Sequence, residues 1–146
     1  MVIIYLENSS KFDLPKYAHP GDSGMDIRAN IDGPVKLGPL ERYIFPTGIK
    51  ALIPRGFEIQ VRSRSGLAAK RGLAVLNSPG TVDAEYRGEI GVILVNLSNE
   101  EQTIEPGERI AQLVVAPVEK AEIRKIEKVP QNTERGDGAY GSSGRF

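Results

Sequence analysis

Asp83 and Tyr86 stand three residues apart inside the segment 72–96, GLAVLNSPGTVDAEYRGEIGVILVN. A carboxylate there can take a proton from water, and a tyrosine ring beside it can pack against a flat ligand. Just before them, Asn77-Ser78-Pro79-Gly80 is a cluster of turn formers between apolar arms. The segment therefore reads as a hairpin whose polar, glycine-bearing tip can bring bare backbone groups up to such a ligand. Arg64-Ser65-Gly66 suits a phosphate, because free N–H groups at a helix start, a hydroxyl and a guanidinium all favour negative charge. Gln112 lies in the apolar run 110–115, where a polar side chain needs a partner. Asp26 sits beyond the turn formers Pro20, Gly21, Asp22 and Ser23. Each of these also has an ordinary reading: a solvated turn acid, a cross-strand aromatic, a capped helix with a surface arginine, a strand residue turned to water.

The elements that must position these residues are mostly strands. Short apolar runs recur between Gly, Pro, Asn and Asp, with 16 glycines and 10 prolines in the chain. Phe57-Glu58-Ile59-Gln60-Val61-Arg62 alternates and predicts a half-buried strand, whereas Ile90-Gly91-Val92-Ile93-Leu94-Val95 does not alternate and predicts one covered on both faces. Many short strands point to a β-sandwich, barrel or jelly roll. Ser65–Arg71 is the one stretch that reads as a helix, with Ser65 at its N-terminus and Gly72 ending it. The span 119–129 fits neither period. Residues 130–146 are polar and glycine-rich, which by composition alone is a frayed tail. Gly136-Asp137-Gly138-Ala139-Tyr140-Gly141 matches a dinucleotide fingerprint literally, but no strand precedes it and no helix can follow, so the match is discarded. A glycine-dense segment that closes over a phosphate is the better functional reading.

At 146 residues the chain is expected to form one domain. Its 19 basic side chains equal its 19 acidic ones, so no overall field draws nucleic acid or an anionic membrane, and an anionic substrate must meet locally placed arginines. The absence of cysteine removes disulfides and thiolate metal sites and fits a reducing compartment. The apolar stretch at residues 1–7 is too short for a signal or membrane segment, so a cytoplasmic protein with no membrane or nucleic-acid partner is expected.

Five segments, in order, carry a resemblance: Gly24-Met25-Asp26-Ile27; Arg62-Ser63-Arg64-Ser65-Gly66-Leu67-Ala68; the hairpin 72–96; Gly107-Glu108-Arg109-Ile110-Ala111-Gln112-Leu113; and Arg135-Gly136-Asp137-Gly138-Ala139-Tyr140-Gly141-Ser142-Ser143-Gly144. Together they resemble the five motifs of the homotrimeric dUTPases and span nearly the whole chain. The resemblance implies an all-β jelly-roll domain over residues 1–129 with one short helix, a flexible arm over 130–146 that closes on the active site, and a homotrimer with shared sites. It implies hydrolysis of dUTP to dUMP and pyrophosphate with Mg²⁺, by water attack on the α-phosphorus. That reaction limits uracil incorporation into DNA and supplies dUMP for thymidylate synthesis.

Carried over residue by residue, the resemblance makes Asp83 the catalytic group that orients the water. Tyr86 packs under the deoxyribose and leaves no room for a 2′-hydroxyl. Asn77, the main chain of Gly80, Thr81 and Val82, and Gly91 read uracil. Arg64, Ser65, Gly66 and Gln112 meet the phosphates, Asp26 helps hold Mg²⁺ through its water shell, and Arg135 reaches the γ-phosphate. Tyr140 stacks over uracil, with Gly141, Ser142 and Ser143 facing phosphate. Ala139, Tyr140 and Ser143 stand where the commonest pattern has glycine, phenylalanine and threonine. Tyrosine still stacks and serine keeps the hydroxyl, so the departures bear on arm closure more than on chemistry. A dCTP deaminase on the same fold is the nearest alternative. It needs a glutamate that falls here on Ile93, which cannot shuttle a proton. A catalytically silent nucleotide-binding regulator is the other, and a plain structural jelly roll the last. Asp83, Arg64 and Arg135 are all intact, which weighs against the silent regulator.

Overall fold

Each short apolar run becomes a strand, and the turn formers between them fall in the connections. The computed structural model describes residues 1–144; Arg145 and Phe146, the end of the expected arm, lie outside the described residues. In order come β1 (Tyr5–Asn8), β2 (Met25–Arg28), β3 (Val35–Leu37), β4 (Arg42–Phe45), β5 (Ile49–Leu52), β6 (Phe57–Arg62), α1 (Ser65–Arg71), β7 (Leu73–Val75), β8 (Gly80–Val82), β9 (Val92–Asn96), β10 (Gln102–Ile104) and β11 (Arg109–Pro117). All pair antiparallel. The larger sheets are β2-β11-β6-β8 and β4-β9-β7, and β1-β5 and β10-β3 are two-stranded. This is the expected all-β jelly-roll sandwich with one short helix.

Alternation works as predicted in β6, where Ile59 and Val61 are buried while Arg62 is exposed. In β9, Val92, Leu94, Val95 and Asn96 are buried and Ile93 is half-buried, so this central strand is covered on both faces. Side chains from both larger sheets, Ile27, Ile59 and Leu113 with Phe45, Leu73 and Leu94, meet in one apolar core. A register shift between Arg109 and Ala111 makes Ile110 and Ala111 both buried, as a bulge does when it inserts an extra residue.

Gly72 ends α1 in the left-handed region at φ 64°, where its N–H reaches the Ala68 carbonyl at 3.1 Å. The helix opens at Ser65 as expected, and the cap position before it is Arg64, whose side chain makes no capping bond. The two arms of the expected hairpin pair with each other, and its tip is more than a simple turn. β7 pairs with β9, while β8 leaves that pair and joins β6 in the opposite sheet. The tip is thus a loop spanning both sheets, stitched by Gly80 against Val61. The ambiguous span 119–129 forms no strand or helix, and Ile123, Ile126 and Val129 are exposed. No helix among the described residues is long and apolar enough to cross a membrane.

Candidate active site

Because β8 crosses between sheets, it opens a cleft of about 170 Å³ on the hairpin side. The lining includes Asn77, Gly80, Thr81, Val82, Asp83, Tyr86 and Gly91, every hairpin residue named from the sequence. Val61, Glu89 and Ile90 complete it. One lip is β8, held by the ladder to β6. Glycine is needed at position 80, where a Cβ would come to 3.1 Å from the Val61 Cβ and 3.3 Å from the Asn77 amide nitrogen. Tyr86 is not a cross-strand aromatic. Its hydroxyl donates to the Glu89 carbonyl at 2.9 Å, and its ring lies over Gly88, where a side chain would collide with it.

A second cluster forms where β2, β11 and β6 run side by side. Asp26 opposes Gln112, and Gln112 opposes Arg62, in one cross-strand row. Arg64 reaches back across this row and forks onto Asp26, with Nε at 2.9 Å and Nη2 at 3.3 Å from the two carboxylate oxygens. Arg109 stands at 3.6 Å from the same carboxylate. Gln112 is not an edge residue. It sits on the central strand, donates to the Ser63 carbonyl at 3.0 Å, and turns its oxygen toward Gly24, where a Cβ would displace it. Lys16, Asp22, Gly24, Asp26 and Gln112 line a shallow cleft of about 240 Å³ there. Asp22 accepts the His19 main-chain N–H at 2.8 Å, which holds its carboxyl below the usual range. Ser65 and Gly66 are exposed at the start of α1, and a Cβ at Gly66 would meet nothing within 4 Å. The fold's own packing therefore does not require glycine there.

Along this sheet Asp26 on β2 stands three strands from β8 and Gln112 on β11 two, about 14 and 10 Å at the usual strand spacing. Neither Arg64 nor Gln112 is among the residues lining the hairpin cleft. The third predicted group lies in the arm. Arg135, Gly136 and Gly138 form turns on themselves, with the Arg135 Nε on the Gly138 carbonyl at 3.0 Å, and Tyr140 is fully exposed. Gly141, Ser142 and Ser143 continue as exposed turns. One chain therefore holds three separate sets of predicted residues. Glu89, Arg109 and Lys16 were not legible as site residues, because turn and strand positions far apart in sequence bring them in.

The family model for dUTPase matches residues 10–144. The chain belongs to the dUTPase family. Its similarity to curated dUTPases is high: it is 54% identical over 133 residues to the deoxyuridine 5′-triphosphate nucleotidohydrolase of Fusobacterium nucleatum, covering 91% of this chain and 90% of that protein. It is 59% identical over 118 residues to that of Aquifex aeolicus, covering 81% and 79%, and 50% identical over 141 residues to that of Chlamydia pneumoniae, covering 97% of each. Among solved dUTPases, the chain is similar to that of Staphylococcus bacteriophage 80alpha with dUPNHPP, at a TM-score of 0.87 and 28% identity over 99% of this chain and 100% of that one.

Proposed function

We propose that this chain hydrolyses dUTP to dUMP and pyrophosphate, with uracil seated between the β8 main chain and Gly91. The observation that carries this reading is the hairpin cleft itself, in which base-reading backbone, an aromatic wall and a carboxylate line one small volume. Membership of the dUTPase family supports it. Water attacks the α-phosphorus; its oxygen bonds to phosphorus as the bond to the bridging oxygen breaks, pyrophosphate leaves, and the proton passes to Asp83. Asn77 offers an amide donor and acceptor to uracil, and Tyr86 closes the space a 2′-hydroxyl would need.

Arg64, Ser65, Gly66 and Gln112 meet the phosphates, Arg135 reaches the γ-phosphate, Tyr140 stacks over the base, and Gly141, Ser142 and Ser143 face phosphate. Positioning and charge stabilisation supply the rate, with no covalent intermediate. Three subunits assemble each site: one gives the Asp26, Arg64 and Gln112 cluster, another the hairpin cleft, and the third the arm over residues 130–146. The separation of the three groups within one chain supports this sharing, as do the local hydrogen bonds of the described arm residues.

Among the described residues, no three acidic or histidine side chains gather as a metal site. Asp26 is already engaged by Arg64. That donor set fits a hydrated Mg²⁺ carried on the substrate phosphates and touched by Asp26 through water. Bound there, Mg²⁺ would neutralise phosphate charge. A nucleotide-pool reaction and a chain without cysteine fit a cytoplasmic location.

The test is incubation with dUTP, dCTP, dTTP and UTP plus Mg²⁺, following pyrophosphate and ammonia separately. Pyrophosphate from dUTP alone is expected. Ammonia from dCTP without pyrophosphate from dUTP would overturn the reading in favour of a deaminase.

A further inference from the structure

The two lips of the hairpin cleft are held by different means. β8 is fixed by a ladder to β6, but the opposite lip, residues 88–91, precedes β9 and has only an isolated bridge between Glu89 and Lys50. Besides the Tyr86 hydroxyl on the Glu89 carbonyl, it is held by the turn between β4 and β5. One oxygen of the Glu89 carboxylate accepts the main-chain N–H of Thr47 at 2.9 Å and of Gly48 at 2.6 Å. In return, the Thr47 hydroxyl donates to the Ile90 carbonyl at 2.6 Å and accepts the Ile49 N–H at 3.2 Å. The Ile90 N–H donates to the Ile49 carbonyl at 2.8 Å. Thr47 is 2% exposed, so the hydroxyl works without competition from water.

These bonds have a directional consequence. In a trans peptide the C=O and the following N–H point opposite ways. With the Ile90 carbonyl turned onto Thr47, the Gly91 N–H is turned away from that turn, and Gly91 lines the cleft. We infer that Thr47 and Glu89 are positioning residues that set the Ile90–Gly91 peptide, and through it the recognition of the pyrimidine edge. The inference rests on the dUTP reading. It adds to the determinants of base selection a buried hydroxyl that does not line the cleft and a carboxylate at its edge whose one oxygen is turned onto the β4–β5 turn.

The experiment compares wild type, Thr47→Val, Thr47→Ser and Glu89→Ala by steady-state kinetics with dUTP and dCTP, alongside thermal unfolding of each. Valine keeps the shape and removes the hydroxyl. It is expected to raise KM for dUTP about tenfold, the factor one misdirected hydrogen bond accounts for, and to narrow the preference for dUTP over dCTP. The value of kcat should stay within about twofold, because the base lies away from the reacting phosphorus. Serine should restore KM, and Glu89→Ala, at an exposed position, should shift KM in the same direction as valine. Where Thr47→Val does not fold, Glu89→Ala decides. Folded variants with wild-type KM and base preference overturn the inference, as does a loss of kcat at constant KM, or a serine variant that fails to rescue. A wild-type protein that leaves dUTP intact overturns the functional reading and this inference with it; active wild type with unmoved variants overturns this inference alone.

Discussion

Two acids line the hairpin cleft, and their surroundings separate their roles. The Glu89 carboxylate is committed to two main-chain N–H groups. The Asp83 side chain, among the described residues, takes no hydrogen bond within the chain and is exposed. A carboxylate with open lone pairs can receive a proton from a bound water, and Asp83 is free to turn to one, whereas the Glu89 side chain is anchored through one oxygen to the β4–β5 turn. Asp83→Asn should therefore lower turnover by roughly 10³ while leaving the affinity for a non-hydrolysable dUTP analogue within a few fold. Rate and binding measured on one preparation decide this, and retained turnover removes Asp83 from its role. Tyr86 is held by its own hydroxyl on the Glu89 carbonyl and by contact with Gly88, so its ring is a fixed wall. Tyr86→Ala should move the kcat/KM ratio of UTP to dUTP upward by about tenfold or more. An unmoved ratio means the ring is not the sugar gate.

At the scale of elements, local chemistry was legible and long-range pairing was not. The alternation in β6 and the stop at Gly72 follow from side-chain period and the left-handed glycine, both local properties. Nothing local says that β8, three residues beyond a turn, pairs with β6 and not with β7. The choice depends on where the other sheet lies, and it is what opens the cleft. The hairpin residues were thus found by type, but the loop spanning both sheets was not. The same holds for Arg64. Its guanidinium was readable as a phosphate group, yet its fork onto Asp26 comes from a pairing in which β2 and β6 flank β11. The arm is the opposite case, because its composition alone predicts a segment without a core. Among the described residues its turns bond to themselves, and Tyr140 is fully exposed. Amide exchange of residues 135–144 should slow markedly when a non-hydrolysable dUTP analogue binds. Equal exchange with and without the analogue leaves a fixed tail and no lid.

For the whole molecule, the decisive feature is that the residues proposed for the site fall in three groups that one chain does not bring together. Asp26 and Gln112 stand three and two strands from β8, neither Arg64 nor Gln112 lines the hairpin cleft, and the described arm residues hydrogen-bond to neither cluster. Ile123, Ile126 and Val129 are exposed along the span that leads into the arm, which leaves apolar surface for another subunit to cover. Assembly is therefore part of catalysis in this account. The measurement that tests it most directly uses two crippled proteins, Asp83→Asn and a truncation after Gln131. Each alone should be inactive. Co-expressed with different affinity tags and purified through both, they form mixed trimers. Some sites then take Asp83 from a truncated chain and the arm from an Asp83→Asn chain. The account predicts dUTP hydrolysis in that mixture well above either parent. A co-purified mixed trimer no more active than its parents would contradict it.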